Sequence, residues 1–142
     1  MPTLAHSLAA TTRAARTVSV PLGGRGYDVL IAPYLLGETG RPVAPRLGNA
    51  RCGIVTDENV ARHHLATLEA SLRAEGRHKG SIVLPAGEPT KSFRELGPLC
   101  ERLLEMGLER GDLVVAFGGG VIGDLAGFAA GILRRGVRFV QI

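Results

Sequence analysis

The sequence contains no tryptophan, two tyrosines and four phenylalanines. With aromatics at 4%, the core has to be built from aliphatic side chains and alanine. No run approaches the ~18–20 consecutive apolar residues of a membrane helix, which argues against a membrane partner. The two cysteines, Cys52 and Cys100, match no metal or redox spacing. Each sits in an apolar run, so both read as buried free thiols, which fits a reducing cytoplasm better than secretion. No basic cluster interleaves with aromatic residues, and a net charge of +4 is modest, so nucleic acid is not an expected partner.

Glycine is in excess, at 20 of 142 residues, about twice ordinary usage. The hydrophobic fraction of 45% and charged fraction of 21% are those of a globular chain, and the length suits one domain. Acids are absent before Asp28, and the opening MPTLAHSLAATTRAAR is rich in Ser, Thr, Ala and Arg. That composition loosely resembles an organelle transit peptide, but it lacks the apolar centre of a secretory signal. We read residues 1–16 as a flexible tail and 17–142 as the domain.

Residues 17–20 and 27–32 flank the turn chemistry of Leu22-Gly23-Gly24-Arg25-Gly26 and predict a β-hairpin. Residues 33–49 predict one short helix near 34–38 and then a loop. Cys52-Gly53-Ile54-Val55-Thr56 reads as a strand ending at Asp57, a good helix N-cap. Ala61, Leu65, Leu68 and Leu72 then recur at helical spacing, with Gly76 as the stop. Residues 81–84 predict a strand and 92–106 a helix. Within the latter, Gly97-Pro98 predicts a kink, or a helix that starts only at Pro98. Residues 112–117 are continuously apolar after the leading Asp112, as in a parallel strand covered on both faces. A helix over 121–134 and a strand over 137–142 complete the pattern. The expected fold is α/β: a Rossmann-like, mostly parallel sheet with flanking helices and an N-terminal β-hairpin.

The segment Gly118-Gly119-Gly120-Val121-Ile122-Gly123-Asp124 joins a buried strand to a helix. Bare glycines admit an anion close to the backbone, and the free amides and dipole of a helix N-terminus favour phosphate. Gly118, Gly120 and Gly123 also satisfy G-x-G-x-x-G, although the usual acid about twenty residues later is missing. A ligand-free strand-to-helix turn is the plainer alternative. Asp124 would repel a pyrophosphate and is expected to face the far end of a dinucleotide, or a substrate. The helix carries apolar residues on nearly every face, as helices inside larger proteins do.

Three motifs in order, Leu84-Pro85-Ala86-Gly87-Glu88-Pro89-Thr90-Lys91-Ser92-Phe93, residues 112–124, and Arg135-Gly136-Val137-Arg138-Phe139-Val140-Gln141-Ile142, resemble the 3-dehydroquinate synthases of the sugar-phosphate cyclase family. The resemblance runs from about Cys52 to Ile142. It implies tightly held NAD and a divalent metal, zinc or cobalt. The implied reaction cyclises 3-deoxy-D-arabino-heptulosonate 7-phosphate to 3-dehydroquinate with phosphate release, in the shikimate pathway to chorismate and aromatic amino acids. By the same resemblance, Asp57 and Asn59 meet the adenosine ribose, and Glu88 and Lys91 make further NAD contacts. Gly119, Gly120, Val121, Ile122, Gly123 and Asp124 cradle the pyrophosphate and nicotinamide ribose, and Arg135 meets the substrate phosphate across a homodimer interface.

Gly97-Pro98 and Gly131-Ile132 depart from the family pattern. In the family the chain continues with Pro-Thr-Thr, the catalytic lysines and a C-terminal helical domain holding the metal ligands. His6, His63, His64 and His78 do not replace those ligands, so no metal and no catalytic residue are expected within the 142 residues, and the fragment alone is expected to be inactive. A related cyclase, an iron-dependent or glycerol-type dehydrogenase, and a non-catalytic nucleotide-binding remnant are the competing readings.

Overall fold

The computed structural model describes residues 16–40 and 49–142. Residues 1–15, most of the expected tail, and 41–48, most of the expected loop, lie outside the described residues. Arg16 is already the first residue of a strand.

The hairpin forms as predicted. β1 (Arg16–Val20) pairs antiparallel with β2 (Tyr27–Ile31) through a single 3-10 turn over Gly23–Arg25. A second 3-10 turn, Leu35–Glu38, stands where the short helix was expected. The hairpin is a sheet by itself and does not join the main one.

The main sheet holds β3 (Cys52–Asp57), β4 (His78–Leu84), β5 (Leu113–Phe117) and β6 (Arg138–Gln141), in the order β4-β3-β5-β6 and parallel throughout. β3 and β5 lie in the middle and are buried on both faces, with Ile54, Val55, Val114 and Val115 nearly inaccessible. That is why their sequences read as unbroken apolar runs instead of alternating ones. β4 starts three residues before the apolar run that announced it, because His78 pairs with Cys52 and Gly80 with Gly53, the register shifting at Lys79.

Among the described residues, three helices cover the faces. α1 is continuous over 58–74, with a π-helical segment at Ala61–Leu65 between Glu58–Val60 and Ala66–Ala74. α2 spans Phe93–Glu105 and α3 spans Gly120–Ile132. α1 packs with Ile54, Leu113 and Val115 on one face of the sheet. On the other face α2 and α3 pack with Val55, Val114 and Ala116.

Two expectations need correction. α2 does not start at Pro98; it starts at Phe93, where the Ser92 hydroxyl accepts from the Glu95 amide. Gly97 eases the helical passage of the chain at this point. The residue before a proline is driven out of the α region by clashes of the proline Cδ with its N–H and its Cβ, and glycine lacks the Cβ. α3 stops at Ile132, short of Arg134. Arg134 and Arg135 turn left-handed, with φ of 47° and 65°, and Gly136 follows at 108°. The Gly136 and Val137 amides there donate to the Leu133 and Ala130 carbonyls and close the helix end. Cys52 is buried and Cys100 only half-buried, and both are free.

Candidate functional site

The strand order reverses between β3 and β5, since β4 lies outside β3 while β6 lies outside β5. In open α/β sheets, ligands bind in the crevice at the carboxyl ends of such a pair. Here the two ends are Asp57 and the glycine turn.

Asp57 caps α1 as its position predicts. Its Oδ1 accepts from the amides of Asn59 and Val60 at 2.9 and 3.0 Å. Its Oδ2 is turned toward the turn: a Cβ built on Gly118 would lie 3.4 Å from that oxygen and 3.3 Å from Ile122 Cγ1. Gly118 also has φ of 153°. Both constraints select glycine, and they bring the carboxylate against the start of α3.

Gly119 is the N-cap of α3 and offers no side chain to its amides. The first amides of a helix have no carbonyl partner within it, so those of Gly120, Val121 and Ile122 remain open. A Cβ added at Gly119 or Gly120 would meet nothing within 4 Å. The space above them is therefore open to a phosphate, and larger residues would project into it.

The structure divides the predicted cradle residues by what they can offer. The Gly123 amide is spent on the Gly119 carbonyl. Gly123 is small for another reason: a Cβ there would sit 2.7 Å from Gln141 Nε2. Ile122 is buried in the core, so only its amide faces the turn.

Lys91, expected with Glu88 to contact NAD, reaches two acids. It lies 3.1 Å from Asp124 Oδ2 and 3.9 Å from Glu88 Oε2. The Asp124 hydrogen bond, and then the Glu88 charge, push the Lys91 ammonium pKa up. The pair partly neutralises the acid that would otherwise oppose a phosphate at α3. The loop carrying Glu88 and Lys91 is held by Thr90, whose buried hydroxyl donates to the Pro85 carbonyl at 2.7 Å. The Ala86 amide also donates to Glu58 Oε1 at 3.5 Å. Sequence reasoning passed over Thr90 and Glu58, because neither bond shows in local spacing. Beside the Lys91–Asp124 pair, a shallow cleft of about 180 Å³ opens between Ser92, Phe93, Leu96, Leu125 and Phe128. The Phe93 and Phe128 rings meet edge to face at 6.4 Å.

Asp57, Asn59, Glu88, Lys91 and Asp124 thus gather around the carboxyl edge of the sheet. Arg135 does not join them. It lies past the far end of the 13-residue α3, about 20 Å away at 1.5 Å rise per residue. Arg134 is tied down there, its Nε donating to the Leu108 carbonyl at 2.7 Å. Among the described residues, no three His, Cys, Asp or Glu side chains come close enough to share a metal ion. The donor set therefore does not fit the implied metal, whereas the open glycine turn fits a phosphate.

Residues 81–142 match the N-terminal domain described for 3-dehydroquinate synthase. The 3-dehydroquinate synthase of Rhizobium etli is 56% identical over 132 residues, covering 93% of this chain and 35% of that protein. Among solved structures, 2-deoxy-scyllo-inosose synthase superposes with a TM-score of 0.79 at 23% identity, over 89% of this chain and 35% of that one. A 2-epi-5-epi-valiolone synthase from Streptomyces hygroscopicus subsp. jinggangensis 5008, with NAD+ and Zn2+ bound, gives 0.68 at 31% identity, over 87% and 34%. The chain thus shares its α/β fold with part of these two synthases. The chain is similar to the N-terminal part of the 3-dehydroquinate synthases, and it spans about a third of the length of the curated relatives it matches.

Proposed function

We propose that this chain is the dinucleotide-binding part of a 3-dehydroquinate synthase. The observation that carries the reading is the crevice between β3 and β5. There, unpartnered amides at the start of α3 lie under open space while the Asp57 carboxylate stands beside them. A dinucleotide carries a pyrophosphate for the amides and ribose hydroxyls for a carboxylate, and the site offers one of each.

In this reading the amides of Gly120, Val121 and Ile122 hold the pyrophosphate, aided by the dipole of α3. Asp57 Oδ2 and Asn59 accept and donate to the adenosine ribose. Glu88, Lys91 and Asp124 contact the remainder of the dinucleotide, with Lys91 keeping Asp124 from repelling the phosphates. NAD bound there would supply reversible hydride acceptance, which acidifies the C–H bond next to a transient ketone and makes loss of phosphate feasible. The chain's own residues bind and orient; none of them is assigned a proton or a metal. Arg135, exposed at the other end of α3, suits the phosphate of a sugar acid bound to a second copy, since a planar guanidinium matches an oxyanion. The full reaction is cyclisation of 3-deoxy-D-arabino-heptulosonate 7-phosphate to 3-dehydroquinate, carried out in the cytoplasm by a homodimer of the longer protein.

Calorimetric titration with NAD+ tests the binding half. The parent chain is expected to bind. Gly120→Val should fold, since a Cβ there meets nothing, and should lose most of its affinity because the branched side chain fills the cradle. A variant that binds as tightly as the parent, or a parent that stays empty at saturating NAD+, overturns the reading.

A further inference from the structure

We propose that Thr56 is a positioning residue for the dinucleotide site, acting through the single peptide unit that joins Phe117 to Gly118. The proposal rests on the dinucleotide reading above.

Thr56 is fully buried near the end of β3. Its Oγ1 donates to the Phe117 carbonyl at 2.7 Å. Thr56 and Phe117 form the last register pair between β3 and β5; beyond it β3 turns away into α1. The threonine hydroxyl therefore supplies a hydrogen bond at the place where the ladder runs out. On its other side, the same peptide unit donates from the Gly118 amide to the Ile142 carbonyl at 3.0 Å.

A peptide group is planar and rigid. Holding its carbonyl from β3 and its amide from the end of β6 fixes the plane from which the glycine turn departs. Gly118 then swings at φ of 153° into Gly119. The direction of the open amides, and their distance from Asp57 Oδ2, follow from that plane. Glycines on both sides of the turn cannot hold it by side-chain packing, so the restraint has to come from neighbouring strands. Valine in place of threonine keeps the shape but presents a methyl to the Phe117 carbonyl. A buried carbonyl left without its donor is costly, and the peptide is expected to rotate in search of another.

The test titrates NAD+ into the parent, Thr56→Ser and Thr56→Val chains and follows the Gly118, Gly119 and Gly120 amides by NMR. Thr56→Ser should bind within about two-fold of the parent, and Thr56→Val about ten-fold more weakly, as for one lost hydrogen bond. The three glycine amide resonances should move in Thr56→Val and stay in Thr56→Ser. A purely structural role would lower the melting temperature and leave the affinity of folded molecules unchanged. If Thr56→Val does not fold, Thr56→Cys, with its weaker donor, takes its place with the same two outcomes. Parent-like affinity in the valine or cysteine variant overturns the proposal and leaves the dinucleotide reading standing. A parent that does not bind NAD+ overturns both.

Discussion

The two oxygens of Asp57 face different neighbours, and the difference can be measured. Oδ1 caps α1 through Asn59 and Val60, while Oδ2 lies against Gly118 at the edge of the crevice. Asp57→Asn keeps an oxygen for the cap and removes the charge. Asparagine and aspartate are nearly equal as caps, whereas alanine at an N-cap costs ~0.5–2 kcal/mol. Urea denaturation is therefore expected to place Asp57→Asn within a few tenths of a kcal/mol of the parent and Asp57→Ala about 1 kcal/mol below it. Both variants should bind NAD+ more weakly. An asparagine variant as unstable as the alanine one would show that the charge, and not the cap, matters to the fold. The capping role was legible in the sequence, because an acid before a helical pattern has one local explanation. The meeting of Lys91 with Asp124 was not, because no local spacing links a loop after β4 to the first turn of α3.

At the scale of elements, α2 carries the sharpest conflict between local preference and observed structure. Pro98 lies inside it and deprives the Arg94 carbonyl of its helical donor. Gly97 offsets this by lacking the Cβ that a following proline would strike. A Cβ at Gly97 meets no other neighbour within 4 Å, so the glycine is there for the proline and not for packing. The two residues should therefore be coupled. Pro98→Ala alone is expected to raise stability by ~1 kcal/mol or more, a fraction of the ~3 kcal/mol an interior proline costs. Gly97→Ala should gain ~1 kcal/mol in the Pro98→Ala background and little or nothing when Pro98 is present. A double-mutant cycle by denaturant titration reads the coupling, and simple additivity would refute it. The sequence marked the conflict but offered two resolutions. The choice fell to packing: Leu96, Leu99 and Leu103 are all buried on one face, and only an uninterrupted helix places all three there.

The whole molecule is held at the amino end of its sheet by polar contacts that the composition does not announce. Lys79 bonds the Gly107 carbonyl and pairs with Asp112 at 3.0 Å. Arg134 and Arg138 bond the carbonyls of Leu108 and Gly111. Burial opposes ionisation of Asp112, but the amides of Glu109 and Arg51 and the Lys79 ammonium outweigh it and hold the carboxyl below its ordinary range. Across the sheet, Ser81 donates to Glu69 at 2.6 Å and stands 3.0 Å from His78 Nε2. Burial lowers the pKa of His78 against the pull of Glu69. The imidazole is thus neutral at neutral pH, and its 3.6 Å approach to Glu69 is not an ion pair there.

Both kinds of group act in the same direction. The unfolded chain takes up a proton at His78 before the folded one does, so stability is complete above the ordinary histidine value near 6.5 and falls as pH drops below it. Glu69 and Asp112 ionise more readily in the folded state. Their contribution is complete above the ordinary carboxylate range and is lost as pH falls through their lowered values. The thermal midpoint is expected to be flat between about pH 7 and pH 8, to decline near pH 6, and to decline again below about pH 4. His78→Gln should erase the first decline and keep the second. A variant that still shows both would remove His78 from this account.

The amino-acid sequence by itself determined the α/β class, the paired hairpin, the parallel strands and the glycine turn at a strand-to-helix junction. Each of these is set by local chemistry, namely apolar period, φ requirements and capping, that acts over a few neighbouring residues. Only the tertiary structure decided which strands are neighbours. That choice set Thr56 against Phe117, turned Asp57 Oδ2 toward Gly118, and paired Lys91 with Asp124. The physical reason is that strand order is chosen by burial of whole faces. Side chains distant in sequence meet at one edge only after two layers of helices have closed on the sheet.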